Sequence, residues 1–280
     1  MRIEYTPAQK NRLTELGLPA EMIRRQFRQL DEREKTYKEV EKWHALEHKE
    51  HLKKLLLNRN KAALCSLTEK MAEVLCQAGF TQIVTPAIIS AKALEKMSID
   101  HNSHLWEQVY WLDSKSCLRP MLAPNLYEVS RQLMTSQKLP LRIFEVGSCF
   151  RRESEGRLHL NEFTMLNLVE WGTPGEERLA RLKELIELVM NAADIGDYQL
   201  SEEDSTVYGP GLDVVSADGL ELASTSMGPH RLDAAWKIDC TWVGVGFGLE
   251  RLLMHRGKQK GIHRYARSLS FLDGACLKVR

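Results

Sequence analysis

The strongest indication of fold in this 280-residue chain comes from Arg142-Ile-Phe-Glu-Val-Gly-Ser-Cys-Phe-Arg151-Arg-Glu153 and its continuation His159-Leu-Asn-Glu-Phe-Thr-Met-Leu-Asn167. Two apolar runs flank a charged stretch, which predicts a strand, a loop and a returning strand. Arg151 ends the first strand, and Glu153, two residues on, would point to the same side of the sheet. A guanidinium at that position can hold two oxygens of one phosphate group. Taken alone, the segment fits an ordinary hairpin with a surface Arg–Glu pair equally well.

The other strand-like runs indicate how the sheet is built. They lie at Phe80–Thr85, Val109–Leu112, Leu212–Val215, Leu220–Ser226 and Trp242–Phe247, and the two strands of the first segment are predicted at Leu141–Phe150 and Phe163–Trp171. Helical runs intervene only at Pro124–Met134, Gly175–Ala193 and Leu249–Arg256. Because several strands follow one another with no helix between them, the order favours an antiparallel sheet flanked by helices over a doubly wound parallel sheet. We therefore predict an α+β fold.

A glycine-rich segment, Trp242-Val-Gly-Val-Gly-Phe-Gly-Leu-Glu-Arg251, is predicted to run from a strand straight into a helix. Its alternating glycines would let a ligand approach the backbone closely. Arg251, in the first turn of the helix, can stack on a base and reach a terminal phosphate. The segment has neither the Lys-Ser/Thr of a P-loop nor the spacing of a dinucleotide fingerprint, which argues against both sites. Upstream, Glu221 and Ser224 can offer oxygen ligands to Mg²⁺, although a lone Glu on a strand is more often a solvated side chain.

The amino-terminal part differs from the rest in charge. Residues 1–61 carry 15 Lys or Arg against 10 Asp or Glu, a balance of +5, whereas the remainder carries 24 against 28, or −4. Thr6-Pro7 predicts a helix start, and a long helix is predicted from about Ala20 toward Leu57. We predict an N-terminal helical segment over 1–61 and a larger domain over 62–280. On charge alone, a solvated helical face is favoured over a surface for a polyanionic partner.

The cellular setting is indicated by cysteine usage and by the N-terminus. The six cysteines form no CxxC pair and have no spacing typical of a zinc site or a disulfide framework, as expected for thiols in a reducing compartment. The chain does not begin with the layout of a signal peptide, and it has no apolar run long enough to span a bilayer. We therefore expect a cytoplasmic protein with no membrane partner.

Taken together, these segments resemble the three motifs of class II aminoacyl-tRNA synthetases. Motif 1 corresponds to the helix before Gly79 and the strand ending at Pro86, motif 2 to the segment around Arg151 and Phe163, and motif 3 to Gly246–Arg251. The resemblance implies the class II synthetase core, with an antiparallel sheet flanked by helices.

Within that class, three segments are similar to the pyrrolysyl-tRNA synthetase family: Leu118-Arg-Pro-Met-Leu-Ala-Pro-Asn-Leu-Tyr127, His159–Asn167 and Gly246–Leu253. The opening Tyr5-Thr-Pro-Ala-Gln9 is similar to the short forms of that family, which lack the fused N-terminal tRNA-binding domain. The resemblance implies an enzyme that activates pyrrolysine, or a related Nε-acylated lysine, with ATP and transfers it to tRNA-Pyl.

Site residues are implied by the same resemblance. The implied ATP-binding residues are Arg151, Glu153, His159, Leu160, Glu162, Phe163, Glu221, Leu222, Ser224, Gly248 and Arg251. Among them, Arg151, Glu153 and Arg251 are implied to be catalytic, and Glu221 and Ser224 to hold magnesium. The implied substrate-binding residues are Ala123, Leu126, Tyr127, Ser130, Asn167, Val169, Tyr208, Ser226 and Trp242. Asn167 would bond the side-chain amide carbonyl of the substrate, and Tyr208 would lie on a β-hairpin that closes over it.

Several points stay open at the level of sequence. Ser130 and Ser226 are small and polar where the family usually has larger apolar side chains, which leaves the exact amino acid open. Without the motifs, Asn167 would be taken as a satisfied polar residue in a half-buried strand. The resemblance implies a homodimer through the motif 1 helix, and it leaves room for a separate tRNA-binding subunit.

Three alternative functions are compatible with much of this pattern. They are a class II synthetase for another bulky amino acid, a noncatalytic tRNA-binding paralogue, and a tRNA-independent ligase of the same fold. Arg151 and Arg251 are both present, which counts against the noncatalytic paralogue. The basic amino-terminal helices would have no purpose in a tRNA-independent ligase.

Overall fold

A computed structural model of the chain describes residues 2–58, 60–152, 156, 158–205, 209–259 and 261–279, and the side chains of 203–205, 209 and 210 lie outside that description. The chain forms two compact units. One comprises Met1–Ala63 with Ser268–Arg280, and the other comprises Leu64–Arg267. No helix in the described ranges is both long enough and apolar enough to cross a membrane.

The first unit begins with short elements and continues into one long helix. Its helices are α1 (Pro7–Glu15), α2 (Ala20–Ile23) and α3 (Leu30–Leu57), and β1 (Ile3–Glu4) pairs antiparallel with β2 (Gln26–Phe27). The Thr6 hydroxyl accepts a hydrogen bond from the Gln9 backbone N–H at 3.2 Å. The Gln9 side chain accepts in turn from the Thr6 N–H at 3.0 Å. This reciprocal cap confirms the predicted helix start.

The single helix predicted from Ala20 toward Leu57 is wrong. The chain leaves the helical conformation after Ile23 and returns to it at Leu30, with β2 between. Phe27 is buried in β2, where its ring lies 4.9 Å from the ring of Tyr5. Apolar spacing could not reveal the break, because Phe27 fits the helical pattern as well as the strand.

The second unit contains the strands from which the large sheet is built, together with one smaller strand pair. In chain order they are β3 (Thr81–Gln82), β4 (Ile88–Ser90), β5 (Ser116–Leu118), β6 (Leu141–Phe150), β7 (Glu162–Trp171), β8 (Tyr198–Ser205), β9 (Gly209–Ser216), β10 (Glu221–Gly228) and β11 (Trp242–Gly248). Seven of them form one sheet in the order β3-β6-β7-β11-β10-β9-β8, while β4 pairs with β5. Every neighbouring pair in the large sheet is antiparallel except β3 and β6. The predicted antiparallel sheet is therefore confirmed.

Helices flank this sheet, as the α+β prediction requires. They are α4 (Ala63–Gln77), α5 (Ala91–Glu95), α6 (His104–Glu107), α7 (Ala123–Leu133), α8 (Arg178–Ala192), α9 (Asp233–Trp236) and α10 (Leu249–Arg256), with a 3₁₀ turn at Ile262–Arg264. After them the chain returns to the first unit as the strand pair β12 (Phe271–Leu272) and β13 (Ala275–Cys276).

The strand predicted at Val109–Leu112 is wrong. Within the described residues that run contributes an isolated bridge, between Trp111 and Cys117, and no strand. The Asp113 carboxylate accepts hydrogen bonds from the N–H groups of Lys115 and Ser116 at 2.6 and 2.7 Å. This turn reverses the chain, so the paired strand begins after it, as β5. The strand predicted at Phe80–Thr85 is reduced to β3.

β7 is the strand that positions the site. It pairs along its whole length with β6 on one side, and from Met165 to Trp171 with β11 on the other. Because alternate residues of a strand face the same side, every second side chain of β7 faces one cavity. Those residues are Phe163, Met165, Asn167, Val169 and Trp171.

Candidate active site

A cavity of about 480 Å³ lies on this face of the sheet. It is lined by residues of β7, β10, β11, α7 and α10 together with the segment after β6. Nine of its lining residues belong to the predicted ATP set: Arg151, His159, Leu160, Phe163, Glu221, Leu222, Ser224, Gly248 and Arg251. Seven more belong to the predicted substrate set: Ala123, Leu126, Tyr127, Asn167, Val169, Ser226 and Trp242. The two sets therefore share one cavity.

Arg151 follows β6 directly and is held beside an aromatic ring. Its Nε donates to the carbonyl of Pro120 at 2.9 Å. The guanidinium carbon lies 5.2 Å from the centre of the Phe163 ring, within cation–π range. The Phe150 N–H donates to the Arg119 carbonyl at 2.9 Å, so the same short segment fixes both the strand end and the arginine.

That supporting segment is anchored by a buried ion pair. Arg119 Nη1 lies 2.8 Å from Glu145 Oε1, and its Nε donates to the Ser148 carbonyl at 2.8 Å. The Thr85 hydroxyl donates to the other Glu145 oxygen at 2.6 Å. A Cβ at Gly147 would lie 2.1 Å from Arg119 Nη2, so only glycine leaves room for the guanidinium. The position of Arg151 thus depends on groups that do not line the cavity.

Arg251 enters the cavity from the first turn of α10. Its Nη1 lies 3.1 Å from Glu221 Oε2 and donates to the Glu221 carbonyl at 3.2 Å. The described residues contain no group of three His, Cys, Asp or Glu that could hold a metal ion. Oxygens of Glu221 and Ser224 suit Mg²⁺, but such an ion would take its remaining ligands from phosphate or water. The donor set therefore fits a metal–nucleotide pair rather than a metal bound by protein alone.

Glu250, which is not among the predicted site residues, connects α10, the helix that carries Arg251, to β7. Its carboxylate accepts from the Thr164 N–H at 2.9 and 2.8 Å and from the Thr164 hydroxyl at 2.8 Å. Arg267 donates to the same hydroxyl at 2.7 Å. Burial raises the pKa of Glu250, although the bonds from Thr164 act in the opposite direction. Glu250 stands next to Arg251 and Thr164 next to Phe163, so this link sets the two cavity residues relative to each other.

Aromatic rings surround the far end of β7. Tyr127, Trp171 and Trp242 line the cavity, with ring centres 5.2 to 6.0 Å apart. Trp236 stacks on Tyr127 at 5.4 Å. Such rings bury large apolar area and hold one another in defined orientations. This part of the cavity therefore suits an apolar group of a ligand.

Asn167 lies on β7 between the cationic and the aromatic parts. Its Oδ1 is buried and has no hydrogen-bond partner among the described residues. A buried amide oxygen without a partner costs free energy unless a ligand supplies a donor. The interpretation of Asn167 as a satisfied strand residue is therefore not supported. Gly246 pairs with it on β11 and leaves it room.

Some predicted residues are placed elsewhere. Glu162 does not line the cavity: it accepts from the Ser148 hydroxyl at 2.9 Å and lies 3.4 Å from Arg267. Ser130 is buried in α7, and its hydroxyl has no partner among the described residues. Glu153 and Tyr208 lie outside the described residues. Their roles, like those of the cavity residues, stay predictions.

Comparisons with known proteins place the chain among tRNA synthetases. A family model described as the phenylalanyl tRNA synthetase beta chain CLM domain matches residues 53–219. Threonine–tRNA ligases from Nitrosomonas eutropha and Syntrophomonas wolfei are 32% identical over 97 residues and 27% identical over 237 residues. The matches cover 33% and 68% of this chain, and the chain spans only 15% and 37% of the length of these two relatives.

A solved structure matches the entire fold. The crystal structure of pyrrolysyl-tRNA synthetase from Desulfitobacterium hafniense is 48% identical, with a TM-score of 0.92, and the match covers 99% of both chains. The sheet, the cavity and these matches define a class II aminoacyl-tRNA synthetase core. Within that class, the chain belongs to the pyrrolysyl-tRNA synthetase family. The family and the fold predicted from the motifs are confirmed.

Proposed function

We propose that the chain activates pyrrolysine, or a related Nε-acylated lysine, with ATP and transfers it to tRNA-Pyl. The observation that carries this proposal is the composition of one cavity, in which Arg151 and Arg251 share the space with an aromatic slot and Asn167. The arginines suit phosphate, and the slot suits a long acylated side chain.

In the first step, a carboxylate oxygen of the amino acid attacks the α-phosphorus of ATP. The bond from that phosphorus to the bridging oxygen breaks, and pyrophosphate leaves. Arg151 stabilises charge on the α-phosphate oxygens, Arg251 binds the terminal phosphate, and Phe163 offers a flat face to adenine. Magnesium, held by Glu221 and Ser224, would supply further neutralisation of phosphate charge. No covalent enzyme nucleophile is needed, because catalysis comes from positioning and electrostatics.

In the second step, a ribose hydroxyl at the 3′ end of the tRNA attacks the carbonyl carbon of the adenylate, and AMP leaves. The basic amino-terminal segment over 1–61 is assigned to the tRNA, through phosphate contacts and shape rather than base sequence. A homodimer through the motif 1 helix, a separate tRNA-binding subunit and a cytoplasmic location, where tRNA is charged, belong to the same proposal.

Asn167 is assigned to the side-chain amide of the substrate. A bare amino-acid side chain such as that of phenylalanine would leave the buried amide of Asn167 unpaired, whereas an Nε-acyl group can pair with it. Val169, Ser226 and Trp242 shape the remaining wall. The slot therefore discriminates by one hydrogen bond and by apolar shape.

The test is ATP–pyrophosphate exchange with a panel of pyrrolysine, simple Nε-acyl lysines, lysine, phenylalanine and threonine, together with a gel shift on tRNA-Pyl. Exchange with the first two and a shifted tRNA are expected. Exchange restricted to phenylalanine or threonine would favour a synthetase for another amino acid. A shifted tRNA without any exchange would favour the noncatalytic paralogue, and exchange without a shift would favour the tRNA-independent ligase.

A further inference from the structure

Asp233 is a buried carboxylate that touches the candidate substrate slot without lining it. It opens α9 and is 3% exposed. Its Oδ1 accepts from the Tyr127 hydroxyl at 2.9 Å. Its Oδ2 accepts from Trp242 Nε1 at 2.9 Å and from the His230 backbone N–H at 2.6 Å. Three donors therefore converge on this carboxylate.

The two side chains that Asp233 binds come from different walls of the cavity. Tyr127 stands on α7 and Trp242 on β11, and both rings line the cavity. Because Asp233 does not line it, both bonds direct polar hydrogens away from the space a ligand would take. A ligand then meets the apolar faces of the rings.

The backbone also makes room for this arrangement. A Cβ at Gly228 would lie 1.8 Å from Trp242 Nε1, so the indole occupies space that only glycine leaves open. Close packing against the strand and a hydrogen bond to Asp233 thus both act on the same indole. The Tyr127 hydroxyl also donates to Asp233, and the Tyr127 ring stacks on Trp236 of α9. The Asp233 carboxylate therefore links α7, which carries Tyr127, to α9.

The residue type matters as much as its position. An ionised carboxylate is an acceptor at both oxygens, so it can receive all three N–H and O–H groups. An asparagine has one acceptor oxygen and one NH₂ group. Since donors approach both oxygens of Asp233, the NH₂ group of an asparagine would face a donor on one side. One buried donor would then lose its partner, or the Tyr127 hydroxyl would rotate and point its hydrogen toward another acceptor.

We propose that Asp233 is a positioning residue for amino-acid specificity, which fixes Tyr127 and Trp242 and hides their polar hydrogens from the substrate side chain. The inference rests on the proposed function. It predicts that a substitution of Asp233 changes the KM for the amino acid and leaves the KM for ATP unchanged, because the residues assigned to ATP make no described contact with Asp233.

The test is pyrophosphate exchange by Asp233→Asn, with pyrrolysine and ATP varied in turn. The KM for pyrrolysine should rise about tenfold, the effect of one buried donor left unpaired, while the KM for ATP stays within about twofold. Asp239→Asn is the matched control: it removes the same charge from the same segment at an exposed position and should change neither KM. Equal changes in both KM values, or none, would overturn the inference.

A second variant covers the case in which Asp233→Asn does not fold. Tyr127→Phe keeps the ring in the cavity and removes the hydroxyl that donates to Asp233. The KM for pyrrolysine should rise about threefold with the KM for ATP unchanged, and an unchanged KM for pyrrolysine would overturn the inference. Absence of exchange in the unsubstituted chain would overturn the proposed function and this inference with it.

Discussion

Gly246 lies opposite Asn167 in the β7–β11 pair and makes space for that amide. A Cβ at this position would lie 3.1 Å from Asn167 Oδ1 and 3.3 Å from Met165 Cε. These distances are shorter than ordinary van der Waals contact, so the amide would have to move. Gly246 therefore determines the position of the Asn167 amide in the middle of β7.

Gly246→Ala is expected to raise the KM for pyrrolysine by about tenfold, because a small displacement of a positioning group weakens a geometrically demanding contact. Gly175→Ala is the matched control, since a Cβ there meets nothing within 4 Å. Exchange kinetics of both variants provide the measurement. Equal KM values for the two variants would show that the position of Asn167 does not limit substrate binding.

Single residues differ in how far local sequence reveals them. Arg151 and Arg251 stand in contiguous motifs, and their cavity positions follow from the strand and helix they adjoin. Asp233 belongs to no motif, and its bond to Tyr127 spans 106 positions. Only the fold brings such partners together, so spacing along the chain could not have predicted the contact.

At the scale of elements, Glu170 joins β6, β7 and α8. It is 4% exposed and accepts from Arg142 Nε at 2.7 Å and from Arg181 Nη2 at 2.9 Å. Burial acts to raise the pKa of Glu170, but the hydrogen bonds from Arg181 and Arg142 outweigh it and hold the pKa below its ordinary value of 4.5. The ionised form is therefore favoured by folding. Its contribution to stability is present above pH 4.5 and is lost as the pH falls through the lowered pKa.

Glu170→Gln should lower the free energy of unfolding by about 2 kcal/mol at neutral pH, less than for a fully buried pair because both arginines are partly exposed. The difference from the unsubstituted chain should shrink below pH 4.5. Urea unfolding of both chains at neutral pH and below pH 4.5 measures this difference in the free energy of unfolding. Glu184→Gln, which removes the exposed partner of Arg181, should cost less than about 0.5 kcal/mol. A constant difference at both pH values would contradict the assignment.

Element type was predictable where burial and periodicity agree. The bounds predicted for β6 and for α10 match the structure, because apolar alternation and a glycine-to-helix transition leave little choice. The break between α2 and α3 was not predictable, since it depends on pairing of β2 with a strand far back in the sequence. Local periodicity carries no information about such a partner.

At the scale of the whole molecule, the last segment of the chain is the least predictable part. Ser268–Arg280 belongs to the amino-terminal unit, where Cys276 is buried in the same apolar cluster as Leu13 and Phe27. The composition change near Asn58 indicated a division of the chain but gave no sign of this return. The domain assignment of 1–61 and 62–280, with its tRNA-contacting role, stays a prediction.

The central claim is that one nucleotide is bound between Arg151 and Arg251 while the amino acid fills the aromatic slot. Its most direct test is pyrrolysine-dependent ATP–pyrophosphate exchange by Arg151→Ala, with Arg152→Ala as the matched control. Arg152 is the next residue, is exposed, and lies over the Tyr110 ring instead of in the cavity. Arg151→Ala should lose about 100-fold in kcat/KM, or about 3 kcal/mol, whereas Arg152→Ala should stay within about twofold. Unchanged exchange in Arg151→Ala, or equal losses in both variants, would contradict the account.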